Sequence, residues 1–230
     1  MDYTTEQIAK MIDHSLLNPT LTEDDLETGC RLALRYDVAS VCIMPYYLRR
    51  CADILAGSTV RASTTIGFPH GGHTTAIKVA EAEQALWDGG EELDMVVNIS
   101  KVLSGDWDYV RAEIRAVIDV THAAGQKVKV IFENCYLTDA QKITLCEICG
   151  ELNADWVKTS TGYGTGGATH EDLKLMRLHS PAHVQVKAAG GVRTLDALLA
   201  VRELGVTRCG ATRTAEILDE CKRRLAEGAA

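Results

Sequence analysis

The feature that most constrains this chain is alternation. Short, mostly apolar runs recur along its whole length, and helical spacing fills the gaps between them. The runs are Met11–Leu17, Val38–Ile43, Thr59–Ile66, Leu93–Ile99, Val128–Phe132, a run closing at Lys158, Val184–Lys187 and Thr207–Gly210. A short lead-in helix over 4–10 places Ile8, Met11 and Ile12 on one face. Helical faces then follow the runs, for example Leu26/Cys30/Ala33, Tyr47/Cys51/Leu55 and Val110/Ile114/Val117/Ile118. Thr22 with Asp25, Thr138 with Gln141 and Thr169 with Asp172 supply start signals, joined by Thr74 or Thr75 and by Thr194. Gly57, Gly89-Gly90, Gly125, Gly150 and Gly205 supply stops.

Apolar strands that alternate with amphipathic helices pair in parallel, because the helical crossovers cover both faces of the sheet. The pattern predicts an α/β protein, a single (β/α)8 TIM barrel over residues 1–230 with a short N-terminal lead-in helix. The length of 230 residues suits that fold. The alternative is an open doubly wound sheet, which usually carries G-x-G-x-x-G after its first strand; none stands there.

Composition excludes several functions. The net charge is −8 and no basic stripe is present, so nucleic acid and anionic membrane are poor partners. No apolar run spans a bilayer, and the first residues lack a basic-then-apolar leader, so the chain is expected in the cytoplasm. The eight cysteines are expected as reduced thiols in that compartment. Cys146 and Cys149 form a C-x-x-C pair, but inside a helical pattern and without partners at zinc spacing. The seven histidines show no ligand clustering, so no metal is expected.

In a barrel the active residues come from the C-terminal ends of several strands. Those ends offer Asp13, Cys42, Asp94, Glu133, Lys158 and Lys187. Lys158 closes an apolar strand and opens Thr159-Ser160-Thr161-Gly162. A lysine there either reaches solvent or loses its proton, and a neutral amine makes Schiff bases with carbonyls. Lys187 lies one repeat further on, so the two ammonium groups face each other and disfavour joint protonation. Asp94, within Leu93-Asp94-Met95-Val96, needs a partner in so apolar a strand. Together they read as a nucleophile, an electrostatic tuner and a proton-transfer carboxylate. The plainer alternative is a set of structural ion pairs.

The loops after the last two strands read Gly190-Gly191-Val192-Arg193 and Gly210-Ala211-Thr212-Arg213. Glycines admit an anion to backbone N–H groups, and helix N-termini follow, which suits phosphate. The alternative is tight turns that serve only to enter the helices.

Several motifs then resemble one family. Val157-Lys158-Thr159-Ser160-Thr161-Gly162, Val186-Lys187-Ala188-Ala189-Gly190-Gly191-Val192-Arg193-Thr194 and Glu92-Leu93-Asp94-Met95-Val96-Val97-Asn98 resemble deoxyribose-phosphate aldolase. So do Ile12-Asp13-His14-Ser15-Leu16-Leu17, Val41-Cys42-Ile43-Met44-Pro45, Ile66-Gly67-Phe68-Pro69 and Gly166-Gly167-Ala168-Thr169, in family order. The resemblance implies a class I aldolase in a (β/α)8 barrel. It would cleave 2-deoxy-D-ribose 5-phosphate reversibly to D-glyceraldehyde 3-phosphate and acetaldehyde, without metal or organic cofactor. It implies Lys158 as the Schiff-base lysine, Lys187 as the neighbour that lowers its pKa, and Asp94 in proton transfer. Asp13, Ser15, Asn18 and Cys42 match substrate-pocket positions. Gly162, Gly190, Gly191 and Gly210, with Thr212 and Arg213, fall at the phosphate end. The expected partners are sugar-phosphate and aldehyde substrates and further copies of the chain, as a homodimer or homotetramer.

Two positions depart from some members. Tyr163 stands where they carry a lysine, and Thr212-Arg213 where they carry a serine pair. Arg213 is therefore expected to help hold the phosphate, the alternative being a surface salt bridge. Glu133 has no role in this reading. A non-enzymatic sugar-phosphate binder remains the rival class, and another class I aldolase or a transaldolase the rival enzyme.

Overall fold

The structure is a computed structural model, and it describes residues 2–228. In chain order its elements are α1 (Thr5–Ala9), β1 (Ile12–Leu16), α2 (Glu23–Tyr36), β2 (Ser40–Ile43), α3 (Leu48–Leu55), β3 (Arg61–Ile66) and α4 (Thr75–Trp87). There follow β4 (Glu92–Val96), α5 (Ile99–Leu103), α6 (Trp107–Ala123), β5 (Lys127–Ile131), α7 (Asp139–Glu151) and β6 (Trp156–Lys158). The last are α8 (His170–His179), β7 (Gln185–Ala189), α9 (Leu195–Glu203), β8 (Arg208–Ala211) and α10 (Thr214–Gly228). Single 3-10 turns stand at Pro45–Tyr47 and Asn134–Tyr136. The eight strands pair in parallel in sequence order, and β8 closes on β1: a (β/α)8 barrel with a short helix leading in.

The helix starts rest on the residues that the sequence singles out. Thr4/Gln7, Thr22/Asp25 and Thr138/Gln141 form complete capping boxes, which satisfy otherwise orphaned N–H groups. Thr169 and Thr194 accept from the backbones of Asp172 and Ala197. Thr74 occupies the cap of α4 but makes no side-chain cap bond.

Two expectations need correction. The fourth strand ends at Val96, and Ile99 opens the short helix α5 instead. Asn98 causes the change: its side chain accepts from the Lys101 N–H, and Glu113 accepts the Asn98 N–H. The seventh strand runs on to Ala189, so Lys187 is its third residue rather than its end.

The apolar core lies between barrel and helices. Leu93, Met95, Val128, Val130, Val157 and Val186 pack there against Ile114, Val117, Leu145 and Leu173. Each such side chain contributes roughly 1.5–3 kcal/mol through burial. The residues alternating with them point inward, as strand geometry requires. Barrels usually fill that interior with branched apolar layers. Here Asp13, Ser40, Ser63, Glu92, Asp94, Lys129, Lys158 and Lys187 are all buried. Charges out of water are costly unless paired, so this interior must be a connected ionic network.

Candidate active site

Asp94 is the hub of that network. It is the middle residue of β4, in register with Lys129 on β5, whose Nζ donates to Oδ1 at 2.9 Å. Lys158 and Lys187 are register partners on β6 and β7. Both donate to the other oxygen, Oδ2, at 2.7 and 2.8 Å. Asp13 on β1 pairs with Lys187 at 2.6 Å and lies 3.7 Å from Lys129. Its Oδ1 accepts from Ser40 at 2.8 Å and from Arg208 at 2.6 Å. Two residues before Asp94, Glu92 forms the layer below. It takes Arg208 through two bonds of 2.9 Å and pairs with Lys129 at 2.6 Å. The Arg208 guanidinium lies 4.9 Å from the centroid of the Trp156 ring.

The surroundings push the titrations apart. Burial would raise Asp94, but Lys129, Lys158 and Lys187 outweigh it and hold the carboxyl well below the usual range. Burial would likewise raise Asp13, and Lys187, Lys129 and Arg208 overcome it. Burial depresses Lys158; Asp94 opposes this, and Lys187 adds to the depression. Burial would depress Lys187 too, yet Asp13 and Asp94 together raise it above the ordinary lysine value. Lys129 is raised in the same way, by Asp94, Glu92 and Asp13 against burial. Lys158 is thus the amine that gives up its proton most easily.

Above the network opens a cavity of about 940 Å³. Lys158, Lys187, Asp13 and Cys42 form its base, and Ser15 and Asn18 stand on the β1 side. Thr20 donates twice to the Asn18 carboxamide oxygen, so that oxygen is already engaged. Burial pushes the Cys42 thiol up. Gly162, Gly190, Gly191, Gly210 and Thr212 also line the cavity wall. Gly162, Gly190 and Gly191 all take positive φ, between 79° and 101°, a backbone that other residues rarely adopt. A Cβ on Gly167 would fall 2.5 Å from the Gly190 carbonyl oxygen, so this wall is built by close backbone approach. Asp94 is fully buried and does not reach the cavity surface; it stands behind the lysines.

The two arginines of the phosphate-end loops stand differently. Arg213 is exposed and lies outside the cavity wall, whereas Arg193 lines it. Glu133 also gains a role. It sits in a left-handed backbone conformation just past β5 and is buried. The Thr161 N–H donates to it at 3.2 Å, and the Thr161 hydroxyl donates to it as well. Glu133 therefore anchors the loop that carries Gly162. Tyr163 reaches from the same loop to the Leu17 carbonyl at 2.7 Å, and its ring meets Phe68 edge-on at 5.4 Å. It bridges the loops after β6 and β1.

Lys129, Glu92 and Arg208 are the site residues that sequence reasoning missed. Lys129, flanked by Val128 and Val130, carried the same signal as Asp94. Among the described residues, no group of three or more His, Cys, Asp or Glu side chains could hold a metal ion. No described helix is long and apolar enough to cross a membrane. Cys146 and Cys149 are buried free thiols within α7.

A family model described as "DeoC/LacD family aldolase" matches residues 7–211. The chain is 71% identical over 224 residues to the deoxyribose-phosphate aldolase of Rhodopirellula baltica, covering 97% of this chain and 93% of that one. It is 46% identical over 214 residues to the deoxyribose-phosphate aldolase of Thermococcus gammatolerans, covering 92% and 95%. Among solved structures, the tetrameric deoxyribose phosphate aldolase of Aeropyrum pernix superposes with a TM-score of 0.88 at 29% identity, covering 95% of this chain and 92% of that one.

Proposed function

Because the chain belongs to the DeoC/LacD family of aldolases, we propose that it cleaves 2-deoxy-D-ribose 5-phosphate, reversibly, to D-glyceraldehyde 3-phosphate and acetaldehyde. The observation that carries this reading is the shared carboxylate oxygen: Lys158 and Lys187 both donate to Asp94 Oδ2 at the base of the cavity.

The geometry supports the following roles. Lys158 is the nucleophile, since it lines the cavity and loses its proton most easily. Its nitrogen adds to the substrate aldehyde carbon and water leaves. The C3 hydroxyl then gives up its proton as the C2–C3 bond breaks, and the iminium takes the electron pair as an enamine. Reprotonation of that enamine followed by addition of water releases acetaldehyde and the free amine. That iminium is the electron sink, so the reading asks for no metal and no organic cofactor. Before substrate binds, Lys187 is charged and disfavours a second cation beside it. Asp94 is too strongly ionised and too deeply placed to act as a free base. Its Oδ2 instead bridges the two amines, and a proton shifts between them along it. Asp13, Ser15, Asn18 and Cys42 line the sugar end. The backbone around Gly162, Gly190, Gly191 and Gly210, with Thr212, receives the phosphate, with Arg193 rather than Arg213 as the cation at the wall.

The same reading makes the whole chain one catalytic domain in the cytoplasm that breaks down deoxyribonucleotide sugars. Its partners are small molecules and further copies of itself, as a dimer or tetramer, which light scattering tests. Three features favour an enzyme over a mere sugar-phosphate binder: two buried lysines, their shared carboxylate, and the depressed titration of one of them. The decisive experiment supplies deoxyribose 5-phosphate and measures glyceraldehyde 3-phosphate, with acetaldehyde and borohydride trapping in parallel. A reduced two-carbon adduct at Lys158, absent from Lys158→Ala, is expected. An adduct spread over surface lysines, or no product, defeats the proposal.

A further inference from the structure

The barrel interior holds three carboxylates, Asp13, Glu92 and Asp94, against four basic side chains, Lys129, Lys158, Lys187 and Arg208. Every carboxylate is fully buried, and so are the lysines or nearly so. With all these groups ionised the interior carries one excess positive charge. With a single lysine neutral it balances. Such a charge cannot be screened by solvent, so balance decides which lysine lacks a proton.

The pairing pattern says where the deciding charge sits. Arg208 meets Asp13 and Glu92, and Glu92 meets Lys129. Neither Arg208 nor Glu92 lines the cavity, so neither touches substrate. Yet Arg208 occupies the anionic capacity of Asp13 and Glu92 that the lysines would otherwise use.

We propose that the buried Glu92–Arg208 pair is a positioning device for the aldol chemistry: Arg208 fills the last place for a cation in the barrel, which keeps Lys158 a free amine, and Glu92 limits that effect. This inference rests on the aldolase reading and deepens it. Arg208 and Lys158 stand two strands apart in register, through Lys187. That separation is roughly 10 Å. A unit charge at that range in a protein of effective dielectric constant about 20 moves a titration by about one pH unit.

The other groups around the network do not blur the prediction. The Cys42 and Cys209 thiols are pushed up by burial and stay neutral. His14, next to Asp13 on β1, bonds Thr214 and is neutral at pH 7. Arg61 on β3 lies 3.9 Å from Glu92 but is half-exposed and pairs with Glu91 at 2.6 Å. Lys127 on β5 turns outward to Asp155.

The test measures the pH at which half of Lys158 is trapped by acetaldehyde and borohydride, in the full-length chain. Arg208→Gln is expected to move that midpoint up by about one pH unit, and Glu92→Gln down by a similar amount. The double variant Glu92→Gln/Arg208→Gln restores the charge count and is expected to return the midpoint close to wild type. Arg208→Lys keeps the charge and is expected to keep the midpoint, whatever it does to rate. If the glutamine variants fail to fold, Arg208→Lys against Arg208→Met at the same trapping pH decides the matter. A merely structural pair would lower rates without moving midpoints, and the double variant would be worst of all. Midpoints that stay put, or that move the same way in both single variants, overturn the inference while leaving the aldolase intact. Failure of the wild type to trap at Lys158 overturns both.

Discussion

Lys158 and Lys187 are register partners on neighbouring strands, and their amines converge on one oxygen atom, Asp94 Oδ2, at 2.7 and 2.8 Å. They titrate in opposite directions because only Lys187 also has Asp13, at 2.6 Å. A second carboxylate, not the distance to the first, distinguishes nucleophile from tuner.

Removing the tuner therefore moves a pH profile. Lys187→Leu takes away a cation that depresses Lys158, so the Lys158 titration rises. The free amine reacts, so the acid limb of kcat/KM is expected at higher pH than in wild type. The rate at neutral pH is expected to fall by about 10²–10⁴-fold, the range for losing a proton-handling group. Steady-state cleavage followed from acid pH up past the free-lysine titration, at about 10.4, checks both effects.

The two arginines near the phosphate end are distinguishable by substrate. Arg193 lines the cavity and Arg213 does not. Arg193→Ala is expected to lower kcat/KM about tenfold on deoxyribose 5-phosphate, toward the low end for a charge-assisted bond because the side chain is exposed. It should spare unphosphorylated deoxyribose. Arg213→Ala is expected to leave both substrates unchanged.

Tyr163 joins two loops across the cavity mouth through its hydroxyl and the Leu17 carbonyl. Tyr163→Phe removes that hydrogen bond while keeping the ring against Phe68. A neutral hydrogen bond contributes about 0.5–1.5 kcal/mol. The expected result is a KM raised by up to about tenfold with kcat nearly unchanged. Paired KM and kcat measurements check it, and equal losses in both would assign Tyr163 to the reaction step.

Acid stability isolates His14. Burial lowers its pKa from 6.5 to about 4, and its Nδ1 lies 2.8 Å from the Thr214 hydroxyl. In the fold His14 is neutral where the unfolded chain already binds a proton. Its contribution is thus present above pH 6.5 and lost as pH falls from there toward about 4. While this group alone titrates, the slope approaches about 1.4 kcal/mol per pH unit. Urea unfolding of His14→Gln is expected to show a flatter dependence over that window. Asp13 and Asp94, both depressed, add their own loss only at lower pH, below the unfolded carboxylate range.

Charged residues inside apolar strands made much of the site readable. Asp94 stood out because an apolar neighbour on each side makes an unpaired charge untenable, and Lys158 because it closes a buried apolar strand. Lys129 stood in the same pattern, but its strand was read for its valines. Glu92 and Arg208 open their strands, where a charge usually meets solvent, so only the tilt and closure of the barrel could show them pointing inward. Arg193 and Arg213 could not be told apart from the sequence alone, because a loop's sequence does not say which way a side chain leaves it. The helix α5 was too short for periodicity, and only the Asn98 cap marked it. The eight-fold alternation, by contrast, runs through the whole chain and identifies the barrel.

The ionic network ties the first strand to the last. Asp13 of β1 takes Arg208 of β8, and Arg208 takes Glu92 of β4. A fragment lacking β8 would leave two carboxylates facing an unsealed seam, and one lacking β1 would strand part of the positive charge. Half-barrels cut from this chain should therefore be unstable alone and regain structure only when mixed. New ends opened in a surface loop between intact strand–helix units, by contrast, leave every ion its partner, so circular permutants should fold.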